Sequence, residues 1–171
     1  RIALWNDELI LTRGEYGVSL PHFVEVRDKN TFDLLYAITP GDGITHTCEP
    51  VEVVGDKAYI GMNNGFDFPN YTNKLVVVDL AAGAYEGTID LGPDGYNPEH
   101  LMYENGELYA FNNKDYTGSS ISHLALATAS LDYTNNVAFT SGCGTSAAVA
   151  EKPFARIRPL ITASSVICTA W

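Results

Sequence analysis

Two acidic residues could place carboxylates side by side if the chain is repetitive. Glu49 and Glu99 each stand next to a proline, on segments that match at a spacing of 50 residues. Carboxylates on neighbouring loops could hold a cation or the basic group of a ligand. His46 and His100 lie close to them in sequence, and they are the histidine pair with a geometric reason to converge. No HExxH or comparable metal spacing connects the histidines, so each alone is more often a surface residue or a hydrogen-bonded, partly buried one.

The wider set of ligand-binding candidates consists of polar residues that follow or precede apolar runs: His46, Glu49, Asn64, Asn97, Glu99, His100, Asn113 and Asp115. Asn and Asp at such positions more often bond their own backbone in turns, which is the structural alternative for each of them. No GxSxG motif is present, and abundant acidic residues do not establish the carboxylate spacing of a glycosidase. We therefore assign no catalytic residue and no metal ligand from the sequence.

Composition excludes several function classes. The formal net charge of −11, with no basic stripe, removes the main electrostatic attraction to nucleic acid. The apolar runs are much shorter than the roughly 20 residues of a membrane-spanning helix, so no transmembrane segment is expected. Cys48, Cys143 and Cys168 form no CxxC pair, which favours free thiols over a zinc site.

A repeat of about 50 residues positions the candidates. Apolar runs that each follow a turn recur at 7–11, 56–60 and 106–110, and each copy continues with a second run at 23–26, 75–78 or 121–126. A third run closes the unit at 34–39, 85–91 or 136–140, and a fourth opens the next one at 51–54, 101–103 or 147–149. These short runs, rich in Val, Ile, Tyr and Leu and separated by Gly, Pro, Asn and Asp, predict four antiparallel strands per unit and few helices.

Four antiparallel strands in a unit of this length predict the blade of a β-propeller. A β-sandwich is the alternative, but its strands need not resemble one another at a fixed offset. In a blade, the connection from second to third strand and the connection to the next blade emerge on one face. The candidate residues belong to these connections, so they should cluster near a central channel.

The number of units sets the expected domain organisation. About three units cannot close a ring that needs about four to eight blades. We therefore expect residues 1–150 to be a partial propeller. Residues 151–171 contain no acidic residue after Glu151 but three basic ones, and we expect a divergent or truncated start of a further blade there.

Segments 75–80, 96–100 and 106–113 resemble the YncE-like (YVTN-repeat) β-propellers. Segments 113–120 and 141–146 further resemble secreted or surface-anchored members from Bacteroidetes-type bacteria. The resemblance covers residues 1 to about 150 and implies a seven-bladed propeller outside the cytoplasm, in the periplasm or at the cell surface, where a lipid anchor on another segment could hold it. Many such proteins lack a known activity, and some bind small ligands.

Three hypotheses follow for function. The first is a non-catalytic extracytoplasmic binding or scaffolding module whose loop face takes a small molecule, a glycan or a surface protein, with the missing blades of the same protein as further partners. The second is a propeller enzyme of lactonase or quinoprotein-like type that uses loop carboxylates and a metal ion, for which Ca²⁺ is the possible cofactor. The third is a structural or adhesive module that makes protein contacts through a blade edge.

Overall fold

The computed structural model describes residues 1–13, 22–39, 42–63, 70–113 and 120–132. Several sequence predictions lie outside the described residues. They concern the ligand candidates Asn64 and Asp115, the strands expected at 136–140 and 147–149, and the divergent segment 151–171.

The described residues form an all-β structure of three four-stranded antiparallel sheets, without an α-helix. In every sheet the order of the strands follows the chain. Sheet 1 contains β1 (Ile2–Trp5), β2 (Glu8–Thr12), β3 (Val24–Asp28) and β4 (Leu34–Ile38). Sheet 2 contains β5 (Thr47–Val54), β6 (Lys57–Asn63), β7 (Lys74–Asp79) and β8 (Ala84–Asp90). Sheet 3 contains β9 (Pro98–Glu104), β10 (Glu107–Asn112), β11 (Ser120–Ala125) and β12 (Ser130–Asp132).

A two-residue turn joins the first two strands of each sheet and gives the three repeats a common reference position. Its first residue is Asn6, Gly55 or Asn105, with φ of 51°, 60° and 52°, a conformation that Gly and Asn adopt more readily than other residues. The pairs that flank the three turns therefore occupy equivalent positions: Trp5 with Glu8, Val54 with Lys57, and Glu104 with Glu107. Every later equivalence between sheets is counted from these pairs.

The sheets are stacked in chain order. We call the face of a sheet that looks toward the next sheet its downstream face, and the opposite one its upstream face. The first interface joins the downstream face of sheet 1 to the upstream face of sheet 2, and its buried core includes Ile10, Val26, Ile60, Val76 and Val78. Burying a Val, Leu or Ile side chain contributes about 1.5–3 kcal/mol, so this interface is a principal source of stability.

The second interface joins sheet 2 to sheet 3 in the same way. Its buried residues include Tyr59, Leu75 and Val77 of sheet 2, packed with Leu108 and Leu124 of sheet 3. Strand alternation explains how one sheet serves two interfaces, because successive side chains point to opposite faces. Sheet 2 is therefore covered on both faces.

The prediction of four strands per unit is confirmed in all three units, but some boundaries differ. Strands β5 and β9 begin at Thr47 and Pro98, before the predicted starts at 51 and 101. In sheet 2 the register shifts between β5 and β6, and in sheet 3 it shifts between β9 and β10. These irregularities let β5 include Pro50 and let β9 begin at Pro98. Strands β1 and β12 were not among the predicted segments, and the strand predicted at 136–140 lies outside the described residues.

Among the residues that the structure describes, no helix is long and apolar enough to cross a membrane.

Candidate functional site

The candidate site lies at one end of the stacked sheets. Because the first two strands of each sheet form a hairpin, the beginning of the first strand lies beside the end of the second. Glu49 and Glu99 lie near the beginnings of β5 and β9, and Asn63 and Asn113 lie at or just after the ends of β6 and β10. We call these four residues the Glu99 cluster.

Two buried amides hold the Glu99 carboxylate. Asn63 Nδ2 donates a hydrogen bond of 2.7 Å to Glu99 Oε1 across the second interface. The Asn113 side chain, from the same sheet as Glu99, makes another hydrogen bond to this carboxylate. Asn63 and Asn113 are only 4% and 5% exposed, whereas Glu99 itself is partly exposed. The carboxylate is therefore fixed from two sides and still reaches solvent.

The pKa of Glu99 is raised above its usual value. Burial is the main cause, and the negative charge of Glu49 adds to it, while the hydrogen bonds from Asn63 and Asn113 and the charge of Arg1 act in the opposite direction. The two carboxylates that the repeat places at equivalent positions are thus close enough for their charges to interact.

Glu49 is tied to sheet 1 through its backbone. Its carbonyl oxygen accepts a 2.5 Å hydrogen bond from Thr12 Oγ1 at the end of β2. The neighbouring Cys48 donates its backbone N–H to the Arg13 carbonyl at 3.1 Å. These bonds join sheet 1 to sheet 2 at this end and fix the backbone of Glu49 within the Glu99 cluster.

Cys48 is a buried free thiol, as the sequence predicted for it. Burial raises its pKa to about 12, so the thiolate form that reacts and binds metals is strongly disfavoured.

Asn97 has a structural role at this end of the sheets. It is fully buried with φ of 52°, its N–H donates to the Thr72 carbonyl at 2.7 Å, and its own carbonyl accepts the Asn113 N–H at 2.9 Å. The turn-forming alternative therefore accounts for Asn97, which helps to position Asn113.

The two histidines do not occupy equivalent positions. Counting from the hairpin turns, His100 corresponds to Pro50, while His46 lies four residues earlier in the repeat. His46 Nδ1 is 2.7 Å from Thr45 Oγ1 ahead of β5, and the ring of His100 lies 5.9 Å from that of Phe111. The premise that they converge from matching loops is not supported, because His100 belongs to a strand.

Asn63 was not among the eight predicted site residues, although its neighbour Asn64 was. The signal that would have selected it is the repeat, because Asn63 and Asn113 are separated by the same 50 positions as Glu49 and Glu99. Among the described residues, no group of three or more His, Cys, Asp and Glu side chains could hold a metal ion.

Comparisons with known proteins inform the fold only. No protein-family model matches the chain, and no curated protein matches it. The chain is similar to the crystal structure of the computationally designed Ika8 protein, with a TM-score of 0.50 and 11% sequence identity. The match covers 74% of this chain and 33% of the designed chain, so the chain spans about a third of that protein's length.

Proposed function

We propose that this chain is part of a non-catalytic, extracytoplasmic β-propeller of the YncE-like kind, and that its Glu99 cluster binds a cationic group of a ligand. The small molecule, glycan or surface protein expected from the sequence could each present such a group as a protonated amine. The observation that carries the proposal is the Glu99 carboxylate, held by Asn63 and Asn113 beside the charge of Glu49.

The arrangement suits a cation for an electrostatic reason. Two carboxylates in partly buried surroundings repel each other, and the raised pKa of Glu99 reflects this cost together with burial. Because the buried amides already fix Glu99, a bound cation would gain attraction without first ordering that side chain. Neutralising the pair is therefore the interaction that this site favours.

The stacking of the sheets supports the propeller part of the proposal. Each sheet is a four-stranded meander, and each interface uses the downstream face of one sheet and the upstream face of the next. A series of such units is the arrangement from which propellers are built. The extracytoplasmic part rests on the resemblance of segments 113–120 and 141–146 to secreted proteins.

A titration monitored by NMR tests the binding proposal. The ¹⁵N-labelled chain is titrated with cadaverine, a diamine, and separately with CaCl₂. We expect cadaverine to shift the side-chain amide signals of Asn63 and Asn113, and we expect Glu99→Gln to remove the shift. Glu104→Gln, at the other end of the same strand, is the matched control and should bind as the original chain does.

The outcomes separate the hypotheses. If neither probe shifts the two amide signals, or if Glu99→Gln and Glu104→Gln behave alike, the binding proposal fails. Strong Ca²⁺ binding without any response to cadaverine would instead favour the lactonase or quinoprotein-like alternative, because such an enzyme needs a metal held by several oxygen ligands.

A further inference from the structure

The Asn113 amide beside Glu99 has an acceptor that is not in use. Its side chain hydrogen-bonds to the Glu99 carboxylate, and because an ionised carboxylate only accepts, the bonded atom is the Nδ2 donor. The other end of the same amide, Asn113 Oδ1, is buried and has no hydrogen-bond donor among the described residues. Leaving a buried acceptor unpaired is costly, so a ligand donor that reaches this oxygen removes a cost that the free protein bears.

The preceding asparagine shows that an unpaired oxygen alone does not make a binding site. Asn112 Oδ1 is also buried without a donor among the described residues. However, Asn112 Nδ2 donates to Ser120 Oγ at 3.1 Å and to Ser122 Oγ at 2.8 Å, so this amide belongs to a neutral group within sheet 3. Of the two asparagines, Asn113 is the one whose amide joins an unpaired oxygen to a carboxylate.

The Glu99 cluster offers a ligand mainly acceptors. Asn63 and Asn113 both direct an Nδ2 donor at Glu99. The groups left for a ligand are the carboxylate oxygens of Glu99 and Glu49 and the amide oxygen of Asn113. A cation with several N–H donors can bond to such a set, whereas a quaternary ammonium has no donor at all.

The placement of these acceptors favours an ammonium over a guanidinium. Glu49 lies in β5, Glu99 lies in β9, and Asn113 follows β10, so the acceptors come from three separate segments. A guanidinium directs its donors within one plane, whereas a primary ammonium is compact and directs three donors in different directions. Asn113 Oδ1 is also covered, while Glu99 is partly exposed. A small ammonium can pass the carboxylate to reach this oxygen more readily than a bulky trimethylammonium.

We propose that the ligand of the Glu99 cluster carries a primary ammonium group, which donates to Glu99 and to Asn113 Oδ1 at the same time. A free polyamine, an amino sugar and a lysine side chain share this chemistry. The inference rests on the proposed function, because it specifies which cation that site selects. It also assigns Asn113 as the residue that distinguishes a primary ammonium from cations without N–H donors.

Three ligands with the same five-carbon spacer test the selection. They are cadaverine, its bis(trimethylammonium) analogue pentamethonium, and its bis-guanidino analogue. All three carry two positive charges, so the net negative charge of the protein attracts them equally. In NMR titrations, we expect cadaverine to bind at least about tenfold more tightly than either analogue, because they cannot make both hydrogen bonds.

Two substitutions test the role of Asn113. Asn113→Leu removes the unpaired oxygen and should reduce the preference for cadaverine to less than about threefold. Asn63→Leu is the matched control, because it also removes an amide that donates to Glu99 but leaves Asn113 Oδ1 in place. It should weaken the binding of all three ligands and keep the preference. Circular dichroism verifies that both variants are folded.

A second measurement needs no substitution. In the ¹³C- and ¹⁵N-labelled original chain, a hydrogen bond accepted by Asn113 Oδ1 changes the chemical shift of the adjoining side-chain carbonyl carbon. Cadaverine should move this signal, and pentamethonium should not. The same carbon of Asn112 is the internal control and should stay unchanged with both ligands.

Glucosamine and Nα-acetyllysine amide, titrated in the same way, distinguish the sources of the ammonium group. Tighter binding of one of them than of cadaverine supports the inference and identifies an amino sugar or a protein lysine as the source. Tighter binding of cadaverine supports it and identifies a free polyamine.

The failures of the two proposals are distinguishable. If either analogue binds as tightly as cadaverine, cation binding at Glu99 stands but the selection of a primary ammonium is refuted. If Asn113→Leu keeps the full preference, or if cadaverine binds without moving the Asn113 carbonyl signal, the role of Asn113 is refuted. If none of the ligands binds, the proposed function itself fails.

Discussion

The upstream faces of sheets 1 and 2 have the same backbone arrangement but opposite chemistry at their centres. Three positions differ between them: sheet 1 has Arg13, Glu25 and Arg27, and sheet 2 has Met62, Val76 and Val78. The sheet 2 residues are at most 1% exposed beneath sheet 1, whereas no described sheet covers the sheet 1 face. A repeat thus determines where a side chain points, while the residue type determines what can cover it.

The upstream face of sheet 3 is intermediate in polarity between those of sheets 1 and 2. At the positions of Arg13 and Glu25 it has Asn112 and Ser122, joined by a 2.8 Å hydrogen bond from Asn112 Nδ2 to Ser122 Oγ. A neutral hydrogen-bonded pair is less costly to bury than an ion pair. The same two positions therefore carry a charged, an apolar and a neutral polar pair in successive units.

The largest loss of stability is expected when the upstream face of sheet 2 receives a carboxylate at the position where sheet 1 has Glu25. Val76→Glu buries a carboxylate in the first interface with no cation beside it, and we expect the free energy of unfolding to fall by about 3–5 kcal/mol. Urea denaturation monitored by circular dichroism measures the change. Val76→Ala is the control, which removes the same apolar contacts without adding charge. Equal losses for both variants would show that the interface tolerates a carboxylate.

Giving sheet 1 the central residues of sheet 2 should change the free energy of unfolding only slightly. The triple variant Arg13→Met, Glu25→Val, Arg27→Val gives sheet 1 the central residues of sheet 2, and it removes the buried Glu25 charge together with the two partly exposed cations that pair with it, so no unpaired charge is left behind. Arg27→Val alone removes one cation and should lower the free energy of unfolding by about 1–3 kcal/mol. Urea denaturation compares them. The comparison breaks down if the triple variant is less stable than the single one.

Acid should weaken the ion pairs that Glu25 makes with Arg13 and Arg27 in sheet 1. Burial tends to raise the pKa of Glu25, but the hydrogen bond from Arg27 and the charges of Arg13, Arg27 and His22 together lower it below the usual value of 4.5. A lowered folded-state pKa contributes stability above the unfolded value, and this stability is lost as pH falls through the folded value. The stability difference between the original chain and Glu25→Gln should therefore be constant near neutral pH and shrink below pH 4.5. A difference that does not change with pH would contradict this assignment.

Glu99 should show the smallest effect, with the opposite sign. Its raised pKa means that the folded state binds the proton more tightly than the unfolded state does. Stability is then lost as pH rises from the usual value of 4.5 through the folded-state value. Relative to the original chain, Glu99→Gln should gain stability over this range and match it in more acidic solution. Urea denaturation at a series of pH values measures this difference, and a gain that is largest in acid would refute it.

Much of the fold could be read from the sequence because it depends on local features. Apolar runs and the turns between them predict most of the strands; β1 and β12 are the strands of the described sheets that no predicted run includes. The positions where β5 and β9 begin, close to Glu49 and Glu99, were harder to predict from the sequence. Proline usually marks the beginning or the outside of a strand, and here register shifts accommodate it.

The candidate site could be predicted only in part. The 50-residue spacing selected Glu49 and Glu99, and the charge of Glu49 is one of the causes that raise the pKa of Glu99. It did not select Asn63 as the partner of Glu99, because that hydrogen bond crosses between sheets. The convergence of His46 and His100 stays a prediction, but the premise that they occupy matching loops is wrong, since they are 54 residues apart in a repeat of about 50 and His100 belongs to β9.

By itself, the sequence determined the repeat, most of the strands of each unit and the end of the sheets at which the polar residues gather. These features follow from short-range alternation and turn chemistry, which act over a few residues. Only the tertiary structure decided that Asn63 and Asn113 hold Glu99, that Arg13 and Arg27 pair with Glu25, and which face of sheet 1 no described sheet covers. These features depend on how sheets stack, and stacking joins residues that are distant in the chain.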